Sequence, residues 1–356
     1  MSRRTTGLLR AGLAALYHSG GHRLLAPLTQ GVGAILMLHR VVPDRPEAFQ
    51  PNRILQITPR FLEQAIVAVR DQGYDIVSLD EVHQRLSEGA FDRPFVAFSF
   101  DDGYVDNYDL AYPIFTKHRA PFAIYVPSEF PDGNGELWWL TLETIIASVD
   151  RLVLKMDGRQ REFRSATTSE KNRAFHTIYW WLRGIDEREA RRVVRDLCRG
   201  IGFDPGEHGR TQMMNWRQLQ EISRDSLVTI GAHTRHHFSL AKLGEAEARA
   251  EIEEGRRRLE RELRLPCRHL SFPYGGPDAA GARGLDVDRA QRVAFFSASL
   301  ATGAAVSVGG PIGFVGIIVP HLVRLLVGAD HRLVLPASAG FGAAFLVACD
   351  SVARTV

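Results

Sequence analysis

The apolar positions of this chain fall into short blocks that alternate between two periods. Residues 34–38 (Ala-Ile-Leu-Met-Leu) form a continuous apolar run that stops at His39, the pattern of a strand buried on both faces. Residues 59–72 carry Phe61, Ala65, Ile66 and Val69 at helical spacing and stop at Gly73. The same reading predicts strands at 75–79, 95–100 and 122–126, with helices at 79–86 and 110–118. It resumes with a helix at 216–222, a strand at 228–231, a long helix at 245–263 and a strand at 269–272. Alternation of this kind predicts a parallel α/β architecture, open or closed.

Residues 131–215 break the alternation and read as a mostly helical insertion with a charged region near 168–200. Its Trp138-Trp139 and Trp180-Trp181 pairs read as core in preference to a sugar-stacking surface. From Glu251 to Arg264 arginines are interleaved with acids, which reads as a solvated helix face. At the N-terminus, Arg10 interrupts the apolar run of Gly7-Leu8-Leu9. Residues 1–30 therefore read as an amphipathic helical lead-in and not as an export signal.

Bulk composition adds little until it is resolved along the chain. With 45% apolar and 24% charged residues the 356-residue chain is of globular type, and a net charge of +3 does not argue for a nucleic-acid partner. Cys198, Cys267 and Cys349 are far apart, which excludes a disulfide framework or a cysteine-based zinc knuckle. The average hides a break: no charged side chain occurs from Val293 to Pro320 or from Leu333 to Cys349. Since about 20 apolar residues cross a bilayer, this tail has the composition of membrane helices and allows membrane association through 293–349.

Three motifs each follow a predicted strand: Ser99-Phe100-Asp101-Asp102-Gly103, His233-Thr234-Arg235-His236-His237 and Ser271-Phe272-Pro273-Tyr274-Gly275. Chemistry in parallel sheets and barrels gathers at the C-terminal ends of strands, so the three can meet in one cleft. Two imidazoles four apart on a helical turn share a face and can bind one metal; His233 with His237 is preferred, and His236 competes with His237. Asp101 and Asp102 are adjacent on a strand end and should point opposite ways, one to a metal and one to a water. Gly103 lets the chain turn there.

In this order the three motifs resemble the NodB-type polysaccharide deacetylases (carbohydrate esterase family 4), and residues 34–41 resemble that family's opening strand. The resemblance covers about 31–280 and implies a distorted (β/α) barrel that removes acetyl groups from N-acetylated sugars. By position it implies Asp101 as the general base, and Asp102, His233 and His237 as ligands of a divalent metal, zinc first. It implies that the backbone N–H of Tyr274 helps hold the oxyanion, and that the substrate is an N-acetylated polysaccharide or oligosaccharide. Ser99 stands where the family usually has Thr. The family takes its acid from a His in a later motif.

That later part is absent. The stretch from Gly310-Pro311-Ile312-Gly313 through Val319-Pro320-His321 to Arg324 instead resembles the permease subunits of iron–siderophore and vitamin B12 ABC importers (FecCD/BtuC type), over about 285–356. The chain is therefore expected to comprise the lead-in 1–30, an incomplete NodB-type barrel over 31–283 and a permease-like fragment of apolar membrane-like helices over 284–356. A fusion or frameshift junction is expected near 281–284, with deacetylase activity impaired by loss of the closing strands. The alternatives are a non-catalytic chimera that binds metal or sugar, and a membrane-inserted permease fragment. Contact with an ABC ATPase is not expected.

Overall fold

The computed structural model describes residues 19–20, 31–89 and 91–274; the expectations for the lead-in and for 284–356 lie outside these residues. In chain order the elements begin with strands β1 (Gly33–Leu38), β2 (Arg40–Val41) and β3 (Gln56–Ile57), and helix α1 (Pro59–Asp71). Next come β4 (Asp75–Ile76), α2 (Leu79–Glu88), β5 (Phe95–Phe100), α3 (Tyr112–Lys117) and β6 (Phe122–Val126). The middle of the chain forms α4 (Trp138–Ser148), the hairpin β7 (Arg151–Met156) and β8 (Arg159–Arg164), then α5 (Thr168–Gly184), α6 (Glu187–Ile201) and α7 (Glu207–Gln212). It ends with α8 (Trp216–Ile222), β9 (Val228–Ala232) and α9 (Glu245–Leu263).

The main sheet is parallel, in the order β1-β5-β6-β9, with β4 beside the start of β5. β5, Phe-Val-Ala-Phe-Ser-Phe, is buried at every position, as a central parallel strand should be. Its Phe98 and Phe100 meet Phe115 and Phe122, and the last two stack at 4.3 Å. This α/β arrangement agrees with the alternating pattern. β1 does not behave as expected: among the described residues it pairs only with β5, and Met37 is 52% exposed. The apolar run marks a strand but cannot say how many neighbours it has. The segment at 269–272 contributes one parallel bridge, Ala232 to Leu270, in place of a strand.

The insertion is less helical than its sequence suggests, because β7 and β8 form an antiparallel hairpin within it. Its helices make a second core in which Trp138, Trp139, Leu142 and Ile145 pack with Phe175, Ile178, Leu182 and Val194. α9 is not simply solvated either: Glu251 and Gly255 are buried against the loop that follows β9, and Leu259 joins the core of the main sheet. Among the described residues no helix is long and apolar enough to cross a membrane.

Candidate metal centre

The site forms where β1, β5 and β9 end. β5 stops at Phe100, and after Asp101 the chain turns away from the strand direction, with Asp102 at φ +75° and Gly103 at φ +73°. A Cβ on Gly103 would come within 3.2 Å of Val126, so this turn needs glycine on two counts. Asp101 and Asp102 are therefore separated by a turn and not by strand alternation. The Asp101 N–H still reaches the Leu38 carbonyl at the end of β1 (2.9 Å).

The histidines also differ from the helical turn expected. Residues 233–237 form an irregular loop with Thr234 at φ +64° and His237 at φ +61°. Thr234 Oγ1 accepts the His237 N–H (3.2 Å). Among the described residues seven non-glycine residues have positive φ, and four of them are Asp102, Thr234, His237 and Tyr274. Strain concentrated in this way is characteristic of functional sites.

The loop brings the ligand atoms of Asp102, His233 and His237 within 4.8 Å of one another. Asp102 Oδ1 lies 3.1 Å from His237 Nε2 and 3.5 Å from His233 Nε2 but makes a well-aligned hydrogen bond to neither. Asp102 is 2% exposed and has no Lys or Arg partner among the described residues. A buried carboxylate facing two imidazoles without its own countercharge is a site for a cation. His233 Nδ1 donates to the Ser271 carbonyl at 2.9 Å, which leaves Nε2 as the nitrogen turned toward Asp102. His237 Nδ1 is buried and has no hydrogen-bond partner among the described residues. Burial lowers the His237 pKa against the pull of Asp102, which favours the neutral, ligating ring. Burial opposes ionisation of Asp102, but His237 and His233 hold its carboxyl well below the usual range. These residues fit a divalent metal.

Asp101 stands apart from this group. Ser271 Oγ donates to its Oδ2 (3.2 Å), and its buried Oδ1 has no partner among the described residues. Burial raises its pKa, with His233 and His39 acting in the opposite direction. Tyr274 closes the far side, with its ring 4.8 Å from His237 and its hydroxyl accepting the Trp138 indole N–H (3.1 Å). Burial pushes the Tyr274 phenol up to about 12. Trp139 completes the apolar wall around His237, at 5.1 Å. His236 belongs elsewhere: its Nδ1 meets Glu251 at 2.5 Å and its ring stacks on Phe238.

Sequence reasoning passed over several residues. His39, half buried at the end of β1, is close enough to both aspartates to lower their pKa values. Its signal was available, since it ends a strand as Asp101 does. Arg191, from the insertion, donates to the carbonyls of His236 and His237 (3.4 and 3.3 Å). It is held by Glu187 (2.7 Å), which also pairs with Lys242 (3.0 Å). No local pattern marks that cluster.

A profile of the Polysaccharide deacetylase family matches residues 88–285, more than half of the chain, and one of the FecCD transport family matches 265–356. Similar solved structures include the deacetylase PplD of Streptococcus pyogenes in complex with acetate, at 18% identity and a TM-score of 0.44, over 75% of this chain and 80% of that one. IcaB from Ammonifex degensii is 19% identical with a TM-score of 0.40, over 74% and 80%. Curated relatives are permeases: the cobalamin import system permease BtuC of Halobacterium salinarum is 55% identical over 88 residues, which is 25% of this chain and 24% of that protein. The hemin transport system permease HmuU of Yersinia pestis is 41% identical over 92 residues, 26% and 28% of the two. The chain thus spans about a quarter of the length of the curated relatives it matches.

Proposed function

Because the chain belongs to the polysaccharide deacetylase family, whose members are hydrolases of N-acetyl groups, we propose that it is a metal-dependent N-deacetylase of an amino-sugar polysaccharide or oligosaccharide. The observation that carries this reading is the division of labour between two buried aspartates: Asp102 faces His233 and His237, while Asp101 faces Ser271. Asp102, His233 and His237 would hold the metal, zinc in first place. When bound there, a divalent cation supplies positive charge that eases ionisation of a water and offsets charge on the acyl oxygen.

The chain's own residues supply the proton transfers. Asp101 accepts a proton from the attacking water while Ser271 holds its other oxygen in place. The water oxygen adds to the acetamide carbon, and the backbone N–H of Tyr274 donates to the carbonyl oxygen as charge develops on it. The C–N bond then breaks, and His39 gives a proton to the departing amine; the products are acetate and a free amino sugar. His39 thus takes the part that the family resemblance assigned to a later histidine.

The test is acetate release from N-acetylglucosamine oligomers by the full chain loaded with zinc. Release that stops in Asp101→Asn is expected. No release with zinc, cobalt or nickel overturns the reading.

The same reading divides the chain into 1–30, a deacetylase domain over 31–283 and a permease-like segment over 284–356, joined near 281–284 by fusion or frameshift, with turnover impaired by loss of the closing strands. The overlap of the two profile matches over 265–285 supports a junction in this neighbourhood. Reading the gene through codons 278–288 in all frames tests it. A second frame that continues the deacetylase is expected; one full-length polypeptide at normal abundance in the native cell overturns it. The transport-family match also favours a second reading, insertion of 293–349 into a membrane, which extraction by carbonate would contradict.

A further inference from the structure

We propose that one flank of α5 is a saccharide-binding surface that holds the polymer beyond the sugar being deacetylated; this rests on the deacetylase reading above. α5 buries Ala174, Phe175, Ile178 and Leu182 on one face. At 3.6 residues per turn, His176, Tyr179, Trp180 and Arg183 share the neighbouring flank. That flank is continuous with the metal centre. Tyr179 lies 5.1 Å from Trp138, Trp138 donates to the Tyr274 hydroxyl, and Tyr274 meets His237. The Arg183 guanidinium lies 3.5 Å above the Tyr274 ring.

Two features of this flank are only partly used by contacts among the described residues. Trp180 is 59% exposed, steadied by Tyr179 at 5.4 Å and His176 at 6.3 Å, both edge-on. Its neighbour Trp181 turns to the other side and gives its indole N–H to Asp157 (3.0 Å). A single exposed apolar residue is ordinary, but Trp180 ends a row of rings that begins beside the ligand His237. The second feature is Arg183. Among the described residues no acid pairs with it, and its Nη1 is shielded from water without a hydrogen-bond partner. A guanidinium donor in that state, unpartnered among the described residues, is one that a ligand oxygen can complete.

An N-acetylated amino-sugar chain offers both complements. The C–H face of a pyranose ring packs on an indole, and its hydroxyl and acetamide oxygens accept from a guanidinium. With one sugar at the metal centre, the next sugars extend past Arg183 toward Trp180.

The experiment titrates the N-acetylglucosamine hexamer into the full-length Asp101→Asn chain and follows tryptophan fluorescence and binding heat. Saturable binding is expected, weakened on the order of tenfold by Trp180→Ala at an unchanged melting temperature, and likewise weakened by Arg183→Ala. Arg183→Lys, which keeps the charge but loses the planar fork, should recover only part of the affinity. Absence of hexamer binding, or equal binding by the variants, overturns the inference. Binding that depends on Trp180 in a chain that never releases acetate leaves the inference standing and removes the hydrolytic reading.

Discussion

The Glu251 carboxylate accepts the backbone N–H of His236 at 2.9 Å, one residue from the ligand candidate His237. The same oxygen accepts the Arg235 N–H at 3.2 Å. Glu251 is 5% exposed, and one turn further on α9 comes so close to the loop that a Cβ on Gly255 would lie 2.7 Å from the Thr234 carbonyl. α9 thus holds a backbone that passes through two left-handed residues. Groups that orient metal ligands typically govern metal affinity by about 10–100-fold. Glu251→Gln should therefore weaken zinc binding by about that factor in calorimetric titration, at unchanged helix content by circular dichroism. Equal affinity would mean that the loop needs no such anchor.

Arg191 tests how the insertion supports the same loop. It is buried with Glu187, and Lys242 neutralises the second Glu187 oxygen. Breaking a buried pair costs about 3–5 kcal/mol, because it strands a charge. Arg191→Ala should lower stability in urea by that order. The double variant Glu187→Gln/Arg191→Met should lose clearly less. If the two losses are equal, the cost lies in the contacts of Arg191 to the loop carbonyls and not in the ion pair.

Metal binding to the folded chain alone must raise stability. At a free zinc concentration of 100 Kd the gain is about 2.7 kcal/mol. Thermal and urea unfolding should show this gain for the wild-type chain and its reversal by EDTA. Asp102→Asn, which removes the only carboxylate of the ligand group, should show none at the same zinc concentration. An undiminished gain in that variant would move the metal elsewhere.

His39 can be separated from the ligands by its readouts. As the acid that protonates the amine, its loss should lower kcat about 10²–10⁴-fold. Zinc affinity should be unchanged in His39→Gln, since His39 is not among the three clustered ligand residues. A fall in zinc affinity instead would make it a ligand.

The strands were legible because burial imposes its pattern directly on residues. Phe95–Phe100 and Phe122–Val126 are uniformly apolar since both faces are covered, and Glu245–Leu263 has the length and spacing of a helix. The hairpin Arg151–Arg164 was missed because its β8 strand is almost entirely exposed, which leaves no apolar alternation to read. The solvated reading of α9 failed at Glu251 for a related reason: a charged residue appears solvated until its hydrogen-bond partners are known.

By itself the sequence determined which side chains could do the chemistry and on which strand ends they stand. Acid and imidazole carry that information wherever they are placed. Only the tertiary structure decided how they are used. The left-handed turns at Asp102, Thr234 and His237 separate the two aspartates and bring the ligand atoms together without a helical turn. Ser271, Arg191, Glu251 and His39 enter the site through contacts across the fold. Such contacts depend on the packing of distant elements, which no local pattern of residues encodes.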